Sequence, residues 1–165
     1  MSARPVAMRN RIARGLVRLL ELDVATYGES GWAVIPRTIR RYRGSLMESA
    51  ERPAIFVASQ GTQQLEARPV GVNDLSHWAR TKLVLTLLTA DQSDPQGAIC
   101  DLVSDVSRAL ALNRGMLSID APGEQTIQGR IVISDDDLEA IDDDPADGIC
   151  DLTVFVDFKW SPSAP

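Results

Sequence analysis

The sequence predicts an α+β domain: a mainly antiparallel sheet with two long helices packed on one face. Three observations carry this. Two segments, one opening the chain and one central, repeat apolar residues at helical spacing. Several others alternate apolar and polar residues with the period of a half-buried strand. The order along the chain is helix, strands, helix, strands.

The first helix is predicted from about Pro5 to Leu22. Met8, Ile12, Leu16, Leu19 and Leu20 fall on one face, and Arg4, Arg11, Arg14 and Arg18 on the other. A basic amphipathic helix also suits a membrane surface or nucleic acid, but packing on a sheet with the charged side in water is its commoner use. "TYGESGWAVIP" then reads as a Gly- and Pro-punctuated loop. "RTIRRYRG" predicts a strand ending at Gly44, and Arg37, Arg40, Arg41 and Arg43 place it at a sheet edge, where charge discourages stray pairing.

"RPAIFVAS" is a short apolar strand with Pro53 at its start, where a missing N–H does least harm. The polar residues Gln60 to Ser76 predict a hairpin tip or loop. "WARTKLVLTLLT" alternates, with Leu83, Leu85 and Leu87 on one side and Lys82, Val84 and Thr86 on the other. The second helix has Asp94 as N-cap, Pro95 as first residue, and Ile99, Leu102, Val103, Val106 and Leu110 as its apolar stripe. Asn113, Arg114 and Gly115 supply its stop. Past a loop with Pro122 and Gly123, "TIQGRIVIS" reads as a strand with Ile127, Ile131 and Ile133 on one face. The closing strand "ICDLTVFVDFKW" puts Cys150, Leu152, Val154, Val156, Phe158 and Trp160 on one face, and Asp151, Thr153, Asp157 and Lys159 on the other.

A length of 165 residues fits one domain, here 1–160, with "SPSAP" at 161–165 a disordered tail. No apolar run approaches the length needed to span a bilayer, and the Arg-rich start lacks the apolar core of a signal peptide. Cys100 and Cys150 are too few for a disulfide scaffold, and both sit in apolar patterns that predict buried free thiols.

Charge is distributed unevenly. Met1 to Lys82 holds 13 basic and 7 acidic residues, whereas Leu83 to Pro165 holds 4 basic and 16 acidic. If the fold keeps the halves apart, a subunit carries two surfaces of opposite sign, which attract between copies head to tail. If the halves intermix, the asymmetry vanishes.

The run "ISDDDLEAIDDDPADGICD", Ile133 to Asp151, is the strongest candidate for chemistry. As an EF-hand loop anchored at Gly148 it fails. Pro145 falls at the third ligand position, and Val154 stands where a bidentate Glu belongs. A non-EF-hand Ca²⁺ or Mg²⁺ site from Asp142, Asp143 and Asp144 stays open, but adjacent aspartates rarely converge on one ion without help from elsewhere in the fold. The run reads as a solvated acidic connection, with Leu138 and Ile141 packing one short helical turn. The sole histidine, His77, has no neighbouring nucleophile, and the chain has no Walker A, GxGxxG, CxxC or HExxH pattern. No catalytic residue, metal ligand or cofactor is expected. Arg40, Arg41 and Arg43 around Tyr42 combine charge with a stacking ring, yet a pI near 4.7 opposes a dedicated nucleic-acid binder. A protein–protein contact suits Arg and Tyr better.

The chain resembles the tail terminator (tail completion) proteins of long-tailed bacteriophages, the group that includes the minor tail protein U type. The resemblance spans most of the chain. It rests on the opening helix "MRNRIARGLVRLLE", the basic strand "RRYRG", "RPAIFVA", "TKLVLTLLTAD", "DLVSDVSRALAL" and "CDLTVFVDFKW". It is one of order and pattern, and the acidic run corresponds to no family feature. The resemblance implies a non-enzymatic structural subunit that forms a hexameric ring at the head-proximal end of the tail, after assembly in the host cytoplasm. Its partners would be further copies, the major tail tube protein and a neck or head-completion protein. DNA would pass through the ring without sequence-specific binding, and no membrane is involved. The charge pattern, not the family, supplies the interface residues: Arg37, Arg40, Arg41, Tyr42 and Arg43 against Asp135, Asp136, Asp137, Asp142, Asp143 and Asp144 of a neighbour. Alternatively those aspartates line the ring's channel. The rival readings are a small metal-dependent enzyme and a monomeric adaptor domain.

Overall fold

Each amphipathic helix must bury one stripe and each half-polar strand one face, so these surfaces come to share one apolar layer. A computed structural model describes residues 8–41, 51–64, 77–91, 93–113, 117–119, 127–133 and 148–160. The elements are helix α1 (Met8–Gly31), strands β1 (Thr38–Arg41), β2 (Ala54–Gln64) and β3 (His77–Leu88), helix α2 (Pro95–Leu112), and strands β4 (Leu117–Ile119), β5 (Ile127–Ile133) and β6 (Ile149–Trp160). The strands form one six-stranded sheet in the order β1-β2-β3-β6-β5-β4. Four of its five pairings are antiparallel; β1 runs parallel to β2. The fold is therefore α+β with a mainly antiparallel sheet, and the Arg-rich strand is at an edge.

Register decides which face is buried. Leu83, Leu85 and Leu87 of β3 lie opposite Val154, Leu152 and Cys150 of β6, and Ile55 and Val57 of β2 extend the same face. These residues join Ile12, Leu16 and Leu20 of α1 and Ile99, Leu102, Val106 and Leu110 of α2 in one buried cluster, so both helices cover one side. Fully burying one such leucine or isoleucine contributes about 1.5–3 kcal/mol. Helix α1 lies against β1 and β2 at one edge of the sheet and also against β4, the strand at the other end of the strand order. A smaller apolar cluster of Ala54, Phe56 and Leu88 sits on the opposite face.

Several expectations are corrected. Helix α1 does not end at Leu22; it runs to Gly31, through much of the predicted loop. Gly28, at φ 41° and ψ −127°, is not helical and kinks it, and one further turn follows in which Trp32 N donates to Gly28 O at 2.9 Å. Arg11, expected in water beside Arg14 and Arg18, is only 5% exposed and its side chain is engaged. Strand β2 continues to Gln64 across a bulge between Ser59 and Gly61, so Gln60 to Gln64 are strand and not loop. The short strand β4 falls where no strand is predicted. Cys100 is exposed: one position past Ile99 on a helix turns it about 100° off the apolar stripe. Cys150 is buried as expected. Arg114, Gly115, Leu138, Ile141 and the tail 161–165 lie outside the described residues.

The entry to α2 is built as predicted. Asp94 Oδ1 accepts from Gly97 N at 3.0 Å, and Pro95 follows it. Asp91 Oδ1 in turn accepts from Ser93 Oγ, Ser93 N and Asp94 N at 2.7, 2.8 and 3.2 Å. These bonds, the Ser93 hydroxyl's foremost, hold the Asp91 carboxyl below the usual carboxylate range. A lowered folded value means the stabilisation is complete above the unfolded value near 4, and is lost as pH falls through the folded one. The melting temperature of Asp91→Ala is expected to fall short of the parent's by a constant margin at neutral pH. That margin should close below about pH 4. Gly148, at φ 65°, has no room for a side chain, because an added Cβ would meet Thr89 Oγ1. Gly148→Ala is expected to lower the unfolding free energy by about 1–3 kcal/mol in denaturant titration.

Candidate functional site

Alternation along β1 sends neighbouring arginines to opposite sides of the sheet. Arg40 pairs with Phe56 in register, and its guanidinium lies over that ring at 5.2 Å, on the face away from the helices. Arg41 points to the helical side, where Nη2 donates to Asn10 Oδ1 at 2.7 Å. Arg37 is exposed just before the strand, and its N donates to Pro53 O at 2.8 Å. The predicted arginine group is thus one edge with two faces. Tyr42, Arg43, Asp135, Asp136, Asp137, Asp142, Asp143 and Asp144 lie outside the described residues.

A second charged group sits on the sheet face away from the helices. Arg80 of β3 and Asp157 of β6 are register partners and form a two-pronged ion pair at 2.6 and 2.9 Å. The hydrogen bonds to Asp157 raise the Arg80 pKa above its ordinary value, although burial opposes them. Arg80 also lies over the Phe155 ring at 5.4 Å. Lys82 and Arg130 are exposed nearby, on the same face by register. The face is neither an apolar core nor a purely solvated surface: Val84, Thr86, Thr153, Phe155 and Val132 between these charges are half-buried.

A polar cluster ties the carboxyl ends of the helices together. Asp23, 5% exposed, accepts from Trp32 Nε1 at 2.8 Å and from Arg108 Nη2 at 3.1 Å. Arg108 also lies against the Tyr27 and Trp32 rings. Asp105, 8% exposed, accepts from the backbone N–H groups of Ala33 and Val34 at 2.9 and 3.1 Å, both on Oδ2. Buried carboxylates are tolerated because every one of these donors lowers the cost of charge. Beside the cluster is a hollow of about 310 Å³ lined by Leu19, Leu22, Asp23, Thr26, Tyr27, Leu112 and Asn113.

The sequence pointed to the arginine edge and missed this cluster. One signal was available: Asp105 falls between Val103 and Val106 on an otherwise apolar stripe. Leu22 and Leu112 fall off their stripes, which marks them as exposed apolar positions. Among the described residues no three His, Cys, Asp or Glu side chains gather as metal ligands do, and no helix is long and apolar enough to cross a membrane. No protein-family model matches the chain, and no curated protein matches it in sequence.

Asp105→Ala strands two backbone N–H groups and is expected to cost about 2–4 kcal/mol in equilibrium unfolding. Asp105→Asn keeps an acceptor oxygen at the same place and should lose clearly less.

Proposed function

We propose that this chain is a structural subunit of a bacteriophage tail. Copies of it form a ring, hexameric by resemblance, that caps the tail tube, ends its polymerisation and offers the surface that joins the head. The strand order is the observation that carries this reading. The basic half of the sequence supplies β1, β2 and the first half of β3, and the acidic half supplies the rest of β3 with β6, β5 and β4. The halves meet at the middle of the sheet without interleaving. The β1 edge strand carries Arg40 and Arg41 and no acidic residue, whereas Asp151, Asp157, Arg130 and Lys159 balance in β6 and β5; the acidic surplus of the second half falls, by sequence, in α2 and between the strands. A subunit of that kind favours head-to-tail contacts, which close into a ring when the rotation permits. The resemblance in element order and the α+β fold add support, and neither gives a catalytic role to any residue.

Two measurements test the reading. Added to a polymerising tail-tube protein from the same source, the chain is expected to shorten and narrow the length distribution seen by electron microscopy. Unchanged tube lengths, with a chain that sediments as a monomer throughout, would favour the adaptor reading and overturn this one. The double reversal Arg40→Glu, Arg41→Glu is expected to weaken ring assembly in light scattering, and more at low salt than at high. Asn10→Ala removes the internal partner of Arg41 but keeps its charge, so it should leave assembly intact.

A further inference from the structure

The outer surface of the helical layer has a pattern of its own. On α1, Arg14, Arg18 and Leu22 recur every fourth residue and form one line, all of them exposed. On α2, Asp101 and Leu112 are three turns apart on one line, both exposed. Leu22 is 68% exposed and Leu112 64%, and Tyr27 is 46% exposed between them. All three line the same hollow.

The two charged rows run away from this hollow in different directions. The amino end of α1 lies at the β1 edge, where Arg41 reaches Asn10. The amino end of α2 lies where β3 hands over to β6, with Pro95 beside Gly148. Among the described residues, Arg14, Arg18 and Asp101 make no ion pair within the chain. Arg14 lies roughly 12 Å, and Asp101 roughly 17 Å, along its helix from the leucine of the same line. The patch thus has an apolar centre, a cationic arm of Arg14 and Arg18, and on the α2 line, beyond Arg108 that Asp23 engages, the single exposed carboxylate of Asp101.

We infer that this patch binds the same patch on a second copy of the chain, about a two-fold axis through the hollow. A two-fold axis that bisects the arms lays the Arg14 and Arg18 row of each copy over Asp101 of the other. It also brings Leu22, Tyr27 and Leu112 of both copies together at the centre. A contact of that type needs one self-complementary surface and no second partner. It combines an apolar centre with a charged rim, as protein interfaces do. The pairing is argued from the outer helical surface and the ring reading from the sheet edge, and the two are tested by separate variants.

Sedimentation equilibrium of the purified chain, alone, tests it. The parent is expected to pair, with a dissociation constant that rises at least about tenfold between about 50 and 500 mM NaCl. Leu22→Ser is expected to weaken pairing by at least about tenfold without shifting the circular dichroism spectrum. Arg14→Glu with Arg18→Glu should abolish pairing, since Glu then faces Asp101. Asp101→Arg should abolish it too, since Arg then faces Arg. Mixed together, these two variants are expected to form a heterodimer, because both of its charged contacts are again of opposite sign. A mixture that pairs no better than either variant alone overturns the inference, as does a Leu22→Ser variant that pairs like the parent. Tube capping by a variant that no longer pairs would separate this contact from the ring.

Discussion

The pairing of β3 with β6 sets everything else in this molecule. The two strands match over their full length, from His77 opposite Trp160 to Leu88 opposite Ile149. Side chains alternate across a strand, so one register puts Leu83, Leu85 and Leu87 together with Val154, Leu152 and Cys150 under the helices. A slip by one residue would instead turn Arg80, Lys82, Asp151 and Asp157 inward, against the apolar stripes of α1 and α2. The cost of burying unpaired charge makes that alternative inaccessible. The same register brings Arg80 and Asp157 together on the outer face, so the ion pair is a by-product of core packing as well as a feature of the surface.

Given that central pair, the helices have little freedom. Each brings one apolar stripe to the layer, and their carboxyl ends are then held by side chains buried at the edge of it. Asp23 receives Trp32 and Arg108, and Asp105 receives the backbone at Ala33 and Val34. These bonds bend the chain after Gly31 toward β1. Among the described residues, what remains for contact with other molecules is what the layer does not use: the Arg-bearing edge, the half-buried outer face of the sheet, and the outward lines of both helices.

Much of this was legible in the sequence where periodicity is strong. The stripe of α2, its Asp94 cap and the alternation of β3 and β6 were readable because burial demands them residue by residue. The edge position of Thr38–Arg41 followed from charge. Other features were not readable, for physical reasons. The Gly- and Pro-punctuated segment after Leu22 reads as a loop, yet α1 continues into it, and tertiary bonds to Asp23 and Asp105 hold Trp32, Ala33 and Val34 in place. Gln60 to Gln64 lack apolar residues, and the ladder to β3 keeps them extended. The parallel course of β1 beside β2 leaves no mark on composition. Of the candidate interface, Arg37, Arg40 and Arg41 are placed, and alternation shows that Arg40 and Arg41 look to different sides. The hollow between the helix ends depends on residues about 90 apart, Leu22 and Leu112, which no local pattern connects.

The position of β6 has a consequence for how the chain folds. The last strand in sequence order lies at the centre of the sheet, and its pairings with β3 join residues 61 to 83 positions apart. Closing such long loops is slow compared with forming a helix or a hairpin. Helix α1 and the β2–β3 ladder can form early, but one side of β3 then waits without a partner. During synthesis that open edge, carrying Leu83 to Leu88, is the part of the nascent chain that most needs protection from neighbouring copies.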